Sequence, residues 1–285
     1  MQAFLIAAYK DEPQLIRLIE GLCNNAKVFV HINALSKIDI DKLKNMHFPN
    51  TVFIKKYKIS WGSFTHLQAI LYLLKIASLD KDVSYVHVVS GQDCRIKSIR
   101  YIEETFSNNR NIYMSTSNVN DGQQHIKERY LYRHYISKKN TSNIFWNKID
   151  SYAIILQKKF NLRRKKIGPF NDVYKGMVWI SAPIEVIIYI LDFIKSNKKF
   201  MRDLRHTFIP EEIFFQTIIM NSKYREDVRS LGFTRYMVWE KRNGSSPAYL
   251  DASDINKVVN SDSIFARKVD SEISSEFIEY FKDLN

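Results

Sequence analysis

Two adjacent carboxylates sit where a helix begins. In Ile209-Pro210-Glu211-Glu212-Ile213-Phe214-Phe215-Gln216, Pro210 suits a first helical position, which puts Glu211 and Glu212 in the first turn. Unpaired N–H groups favour negative charge there. Complementing the helix dipole is reason enough for both residues. The chemical alternative needs one carboxylate aimed into a pocket while the apolar residues behind it bury the helix, so that it takes a proton from an attacking hydroxyl. Ser90-Gly91-Gln92-Asp93-Cys94 follows an apolar run directly. Gly91 allows a sharp turn or a close approach by a ligand. Asp93 either accepts hydrogen bonds from sugar hydroxyls or caps the helix that begins near Ser98, and the pattern does not separate the two. Ser60-Trp61-Gly62-Ser63 offers an aromatic edge to a sugar or a base, although tryptophan serves equally well as core filler. Phe265-Ala266-Arg267-Lys268-Val269-Asp270 sets two cations among apolar anchors, which favours a specific anion over diffuse attraction. A surface ion pair with Asp270 is the plain alternative.

Several chemistries are excluded by absence. There is no phosphate-binding Gly-x-x-x-x-Gly-Lys loop, no dinucleotide Gly-x-Gly-x-x-Gly, no Gly-x-Ser-x-Gly elbow and no His-Glu-x-x-His. Asp39-Ile40-Asp41 is an Asp-x-Asp, but it lies in a helix-like segment where it reads as a solvated face, poor for a metal that needs an open strand edge. Cys23 and Cys94 form no metal-type cluster and no disulfide framework, which fits a reducing compartment.

The chain of 285 residues is 45% hydrophobic and 26% charged, enough to bury a substantial core. Its formal charge of +13 is concentrated: residues 121–176 hold 13 lysines and arginines against 4 acids, with Arg163-Arg164-Lys165-Lys166 as the sharpest run. That field attracts phosphates, nucleic acid, anionic lipid or acidic sugars, while a solvated loop accounts for it equally well. The opening residues reach Lys10, Asp11 and Glu12 without a basic region, so no signal peptide is expected. The longest apolar stretch, Met177–Ile194, is broken by Pro183, Glu185 and Asp192, which argues against a membrane-spanning helix and leaves peripheral attachment open.

These residues need a scaffold, and the apolar periodicity describes one. Ala3–Ala7, Lys27–Ile32, Thr51–Ile54 and Val83–Val89 read as strands, the first covered on both faces. Helical spacing follows Pro13, and again runs through His66–Ala77. The alternation predicts an α/β sheet with helices on its faces, whose ligands collect at the carboxyl ends of the strands: Ala7-Ala8-Tyr9, His31-Ile32-Asn33, Lys55–Trp61 and Ser90–Asp93. Residues of about 108–175 are polar, basic and weakly periodic and read as an insertion or mobile lobe of one domain spanning 1–285. After it come a strand at Gly176–Ser181, helices from Pro183 to about Ser196 and from Pro210 to about Ser222, and a closing helix through Ile273 and Phe281.

Taken in order, these segments resemble the core-2/I-branching β-1,6-N-acetylglucosaminyltransferases, with the related peptide xylosyltransferases and their bacterial homologues. The resemblance runs from the opening strand through His31-Ile32-Asn33, Ser60-Trp61-Gly62, Ser90-Gly91-Gln92-Asp93 and Lys175-Gly176-Met177-Val178-Trp179. It continues through Pro210-Glu211-Glu212 and Ser246-Pro247 to Phe265-Ala266-Arg267-Lys268. Each motif alone is weak, whereas the ordered set is specific and spares only the basic 108–170 region. The resemblance implies a GT-A-type nucleotide-sugar fold with a mixed, mostly parallel sheet, and inverting transfer without a divalent metal or other cofactor. It makes Glu212 the catalytic base, with Glu211 replacing the family's usual aspartate. Lys268 matches a cation that offsets the leaving diphosphate. Its arginine partner is Arg242 by this reading, with Arg267 and Arg235 as competitors. Ala8, Asn33, Trp61 and Asp93 are assigned to the donor, Asn33 standing where the family has an acid that contacts uracil. Glu128, Arg129, Trp179 and Glu211 are assigned to the acceptor.

The physics agrees with that assignment, because in-line displacement needs a base on the acceptor side and charge relief on the leaving side. The implied partners are a UDP-sugar, N-acetylglucosamine by resemblance, and a glycan or lipid-linked glycan. The implied setting is a bacterial cytosolic enzyme of surface polysaccharide synthesis, attached peripherally at the inner face of an anionic membrane. Two rivals from other classes stand beside this reading. A basic nucleic-acid binder would use the 121–176 patch with Tyr130, Tyr132, Tyr135 and Trp146. A glycoside hydrolase would use Asp93 and Glu212 as an acid–base pair.

Overall fold

Apolar runs of strand and helix period alternate through the first ninety residues. The computed structural model, which describes residues 1–122, 124–135 and 144–284, shows the corresponding elements in the same order. Strand β1 (Gln2–Ala8) leads to α1 (Glu12–Glu20), β2 (Lys27–Ile32), α2 (Ile40–Asn45), β3 (Thr51–Ile54), α3 (Phe64–Ala77) and β4 (Tyr85–Ser90). Next come β5 (Asp93–Arg95), α4 (Ile99–Phe106), β6 (Ile112–Met114), β7 (Ser117–Asn118), α5 (Gln124–Leu131), α6 (Ile144–Lys159) and β8 (Tyr174–Lys175). The last part supplies β9 (Ile180–Pro183), α7 (Ile184–Ser196), α8 (Lys198–Leu204), α9 (Glu211–Met220) and β10 (Val228–Arg229). It ends with β11 (Arg235–Met237), α10 (Ile255–Val259), β12 (Phe265–Arg267) and α11 (Ser275–Tyr280).

Among the described residues the central sheet has seven strands in the order β10-β6-β9-β4-β1-β2-β3. All run parallel except β9, which pairs antiparallel with β4 and β6. Alternation along β1 explains how both faces are covered. Ala3 and Leu5 pack into a cluster with Leu67 and Leu74 of α3, Ile187 of α7 and Phe214 of α9. Phe4 and Ile6 pack on the other face with Leu15 and Ile19 of α1 and Phe106 of α4. Each such fully buried side chain contributes roughly 1.5–3 kcal/mol, and a one-residue slip would exchange the two faces. A second, three-stranded sheet, β11-β12-β5, sits over the end of β4 and sets Arg267 opposite Asp93.

Some boundaries differ from the sequence expectation for local reasons. The helix after Asp93 is capped by Ser98, whose side chain accepts from the N–H of Tyr101, so Asp93 is not its cap. Asp39 does more than face solvent, since it caps α2 by accepting from the N–H groups of Asp41 and Lys42. The stretch 108–175 is woven into the fold at both ends: β6 lies between β9 and β10 in the central sheet, and β8 packs on α9. A three-residue strand is too short to register as periodicity. Among the described residues no helix is long and apolar enough to cross a membrane.

Candidate active site

A cleft of about 600 Å³ opens where β1, β2 and β4 end. Eight of the residues singled out from the sequence line it: Ala8, Asn33, Trp61, Trp179, Glu211, Glu212, Arg267 and Lys268.

One wall is the start of α9. Ile209, just before it, holds φ at 53°, a left-handed conformation that costs a β-branched residue on the order of 1–3 kcal/mol. Its N–H donates to the carbonyl of Gly62 at 3.0 Å, which ties the helix entrance to the Ser60–Ser63 turn. Gly176 docks from the other side, its N–H donating to the Glu212 carbonyl at 2.7 Å. Glu211 is 4% exposed; its Oε1 accepts from His66 Nδ1 at 2.9 Å, whereas its Oε2 is buried with no hydrogen-bond partner in the structure. Glu212 keeps its carboxylate partly open to the cleft, with Arg129 Nη1 at 3.8 Å. Burial, and then the neighbouring Glu211 charge, push the Glu212 carboxyl up to about 7, with Arg129 and Lys175 restraining the rise. A carboxyl poised there is suited to general-base work near neutrality.

The opposite chemistry lies at the end of β12. Asp93 is fully buried beneath the cleft and does not line it. Its Oδ2 accepts from the N–H of Ser90 at 2.7 Å and from Arg235, and its Oδ1 accepts from Arg267 Nη1 at 3.2 Å. One carboxylate therefore serves two guanidinium groups. Arg235 is buried with it, while Arg267 reaches the cleft and also donates to Ser90 Oγ at 2.7 Å. The Trp179 ring sits against both arginines, 4.8 and 4.6 Å from the guanidinium carbons. Lys268 donates to Ser245 Oγ at 3.1 Å and stands over the Tyr249 ring; among the described residues it forms no ion pair. The surplus positive charge of this end faces the cleft through Arg267 and Lys268. Such an arrangement can balance a diphosphate.

Between the walls, Asn33 acts as a staple. Its Nδ2 donates to the carbonyl of Ile59 at 2.8 Å, and its Oδ1 accepts from the N–H groups of Ile59 and Leu35. Both oxygen lone pairs are thus engaged by backbone, while the residue lines the cleft at the place where the family resemblance expects a contact with uracil. His31 acts similarly: burial pushes it down to about 4, and its neutral Nε2 accepts from the N–H of Tyr57. Together they fix the 57–61 loop that carries Trp61, which is 71% exposed at the cleft and edge-on to Phe208. A Cβ on Gly62 would stand 2.7 Å from the Phe208 ring, at a φ of +72°.

Four assigned residues fall elsewhere. Asp93 is the buried clamp described above, so the acid–base pair of the hydrolase reading loses its first member. Arg242 does not line the cleft and is held by Asp254, Asp251, Glu240 and Ser253. Of the three arginines considered, only Arg267 both lines the cleft and adjoins Lys268. Arg129 reaches Glu212 without lining the cleft, and Glu128 pairs with Lys158 of α6 at 2.7 Å. Sequence reasoning passed over His66, Trp239 and Lys175. His66 and Trp239 line the cleft, and Lys175 acts on Glu212 through its charge. Lys175 stood inside a quoted segment, whereas the link from His66 to Glu211 crosses 145 positions. In the metal question, no group of three His, Cys, Asp or Glu among the described residues is arranged to hold an ion.

Known proteins similar to this chain are distant. The xylosyltransferase sqv-6 of Caenorhabditis briggsae is 21% identical over 306 residues, taking in 95% of this chain and 35% of that protein. The chain thus spans about a third of that curated relative's length. Similar solved structures include apo mouse xyloside xylosyltransferase 1, with 11% identity, a TM-score of 0.37, and coverage of 93% of this chain and 97% of that one. The apo WbbM bifunctional glycosyltransferase gives 14%, 0.40, 93% and 45% for the same quantities. The galactosyltransferase LgtC, solved with donor and acceptor sugar analogues, gives 11%, 0.42, 100% and 95%. The family model described as Core-2/I-Branching enzyme matches residues 2–259, and the chain belongs to that family of glycosyltransferases.

Proposed function

We propose that the chain is an inverting glycosyltransferase that moves a sugar from a UDP-sugar to a hydroxyl of a glycan without a divalent metal. The observation that carries this reading is the pairing, in one cleft, of a carboxyl raised to about 7 at Glu212 with the surplus cations Arg267 and Lys268. In the proposed step Glu212 takes the proton of the acceptor hydroxyl as that oxygen attacks the anomeric carbon. The bond from that carbon to the β-phosphate oxygen breaks, and its electron pair leaves with the diphosphate. Arg267 and Lys268 stabilise the charge that develops there, and because Asp93 and Trp179 already hold Arg267, little reorganisation is needed. Glu211, beside Glu212 in the cleft wall, is assigned to the acceptor side by the family resemblance. Trp61 offers its exposed face to the donor base or sugar. N-acetylglucosamine is the donor sugar favoured by the family resemblance.

A panel of UDP-sugars, assayed for acceptor-dependent UDP release with a chelator present, tests the proposal. Turnover should persist in the chelator, and Glu212→Gln should lower it by about 10²–10⁴-fold. Full activity of that variant, or activity lost with the chelator and restored by manganese, would remove the reading.

A further inference from the structure

Helix α6 is hydrogen-bonded to the protein through Asp150 and Gln157. Asp150, its buried residue, accepts from His134 Nδ1 at 2.8 Å and from the N–H of Tyr135 at 2.6 Å. Gln157 binds the backbone of Arg133 in both directions, accepting from its N–H at 2.8 Å and donating to its carbonyl at 2.9 Å. The outward face carries apolar residues as well: Ile144, Tyr152 and Ile155 are 73, 64 and 59% exposed, and Phe160 and Leu162 just beyond the helix are 63 and 61% exposed. Lys148 and Lys159 fall on the same face, because positions 144, 148, 152, 155 and 159 recur at helical spacing. Arg163, Lys165 and Lys166 then continue the exposed cationic margin. The side turned to the protein holds Trp146, Ala153 and Ile154 beside Asp150 and Gln157, so the outward apolar residues are a second apolar surface, and an exposed surface of this kind marks a contact.

We propose that this face is a docking surface for an anionic lipid bilayer, with α6 lying in the headgroup plane. Two features select a bilayer over a protein partner. Lysines set within the apolar stripe would be desolvated in a protein interface, whereas on a bilayer their stems lie on the apolar boundary and their ammonium groups rise to the phosphates. The exposed cations also match anionic headgroups in sign, each contributing an attraction on the order of 1 kcal/mol. No described helix can cross a membrane, so the contact is one of lying on the surface. Lys158 of α6 pairs with Glu128 of α5, whose next residue, Arg129, touches Glu212. The docked face therefore adjoins the acceptor side of the proposed site, a placement suited to an acceptor carried on lipid. Docking itself does not depend on the role proposed for Glu212.

Sedimentation of the full chain with vesicles tests this. Vesicles of equal parts phosphatidylcholine and phosphatidylglycerol should bind it, and phosphatidylcholine alone should not. Tyr152→Asp with Ile155→Asp should weaken binding by on the order of tenfold or more, and neutralising Lys148 or Lys166 should weaken it about fivefold each. An unchanged melting temperature would show that these exposed substitutions leave the fold intact. Equal binding to both vesicle types, or undiminished binding by the double aspartate variant, would overturn the proposal. So would a dimer that forms without lipid and dissolves on the same substitutions, which would assign the face to a second copy. Absence of all transferase turnover in the unaltered chain would count against the proposed function alone.

Discussion

Glu212 and Glu211 are neighbours in sequence with opposite situations, and the difference sets their chemistry. Glu211 is tied to His66 and closed off, whereas Glu212 faces the cleft with its proton held to about 7 by burial and by Glu211 itself. Because the carboxylate form is the base, acceptor-dependent kcat/KM should rise with pH and level off above an apparent pKa near 7. Arg129→Ala removes a charge that favours the carboxylate, so it should move that limb to higher pH. An unmoved limb would separate Glu212 from the titration. Stability has the opposite sign from the usual carboxylate. Between the ordinary value of 4.5 and about 7 the folded state keeps a proton that the unfolded chain has released, so raising the pH through this window costs stability. Glu212→Gln should therefore raise the melting temperature at pH 8, by on the order of 2 °C, and leave it unchanged at pH 4, a readout independent of activity.

At the scale of elements, the site depends on how closely α9, β8 and the small sheet are held. A Cβ at Gly176 would lie 1.9 Å from the carbonyl oxygen of Ser115, and neither backbone can yield cheaply. Gly176→Ala should cost about 1–3 kcal/mol in urea unfolding and reduce transfer with it, since the N–H of residue 176 fixes the Glu212 carbonyl. Asp93 holds β5 to the arginines of β11 and β12. Asp93→Ala leaves Arg235 buried without its counter-charge and should cost about 3–5 kcal/mol. A variant as stable as the parent would show that the clamp does not carry the sheet junction.

Over the whole molecule, the charge of +13 does not form one uniform basic patch. Within the run 163–166, Arg164 points inward, and its guanidinium donates to the carbonyls of Asp203, Tyr132 and His206 and to Thr207 Oγ1. Burial pushes it down to about 10. It fastens the segment after α6 to α8, while its three neighbours are exposed. Arg164→Ala should lower stability by on the order of 3 kcal/mol, and Lys165→Ala should change it by no more than about 0.5 kcal/mol. Equal effects in thermal unfolding would contradict that division. The aromatics of the same stretch are likewise dispersed: Tyr130 is 3% exposed, and Tyr135 is 48% exposed. Tyr130 is thereby closed to the base stacking that a nucleic-acid binder would require of it.

Local periodicity determined the four strands and the two longer helices of the first ninety residues, though not the short α2, because a strand covered on both faces and an amphipathic helix each leave a signature within a few positions. The order of the short motifs determined the family, and with it Glu212 and Lys268 as residues of one cleft. Only the tertiary structure showed that Arg267, and neither Arg242 nor Arg235, lines the cleft, since a guanidinium reads the same whether carboxylates hold it at the surface, burial encloses it, or a cleft exposes it. The same holds for Asp93, whose partners come from strands more than 140 positions away, and for Asn33, whose side chain is bound to loop backbone. The exposed apolar side of α6 was hidden for a related reason: apolar residues recur around the whole helix, and only the packing decides which of them meet the protein.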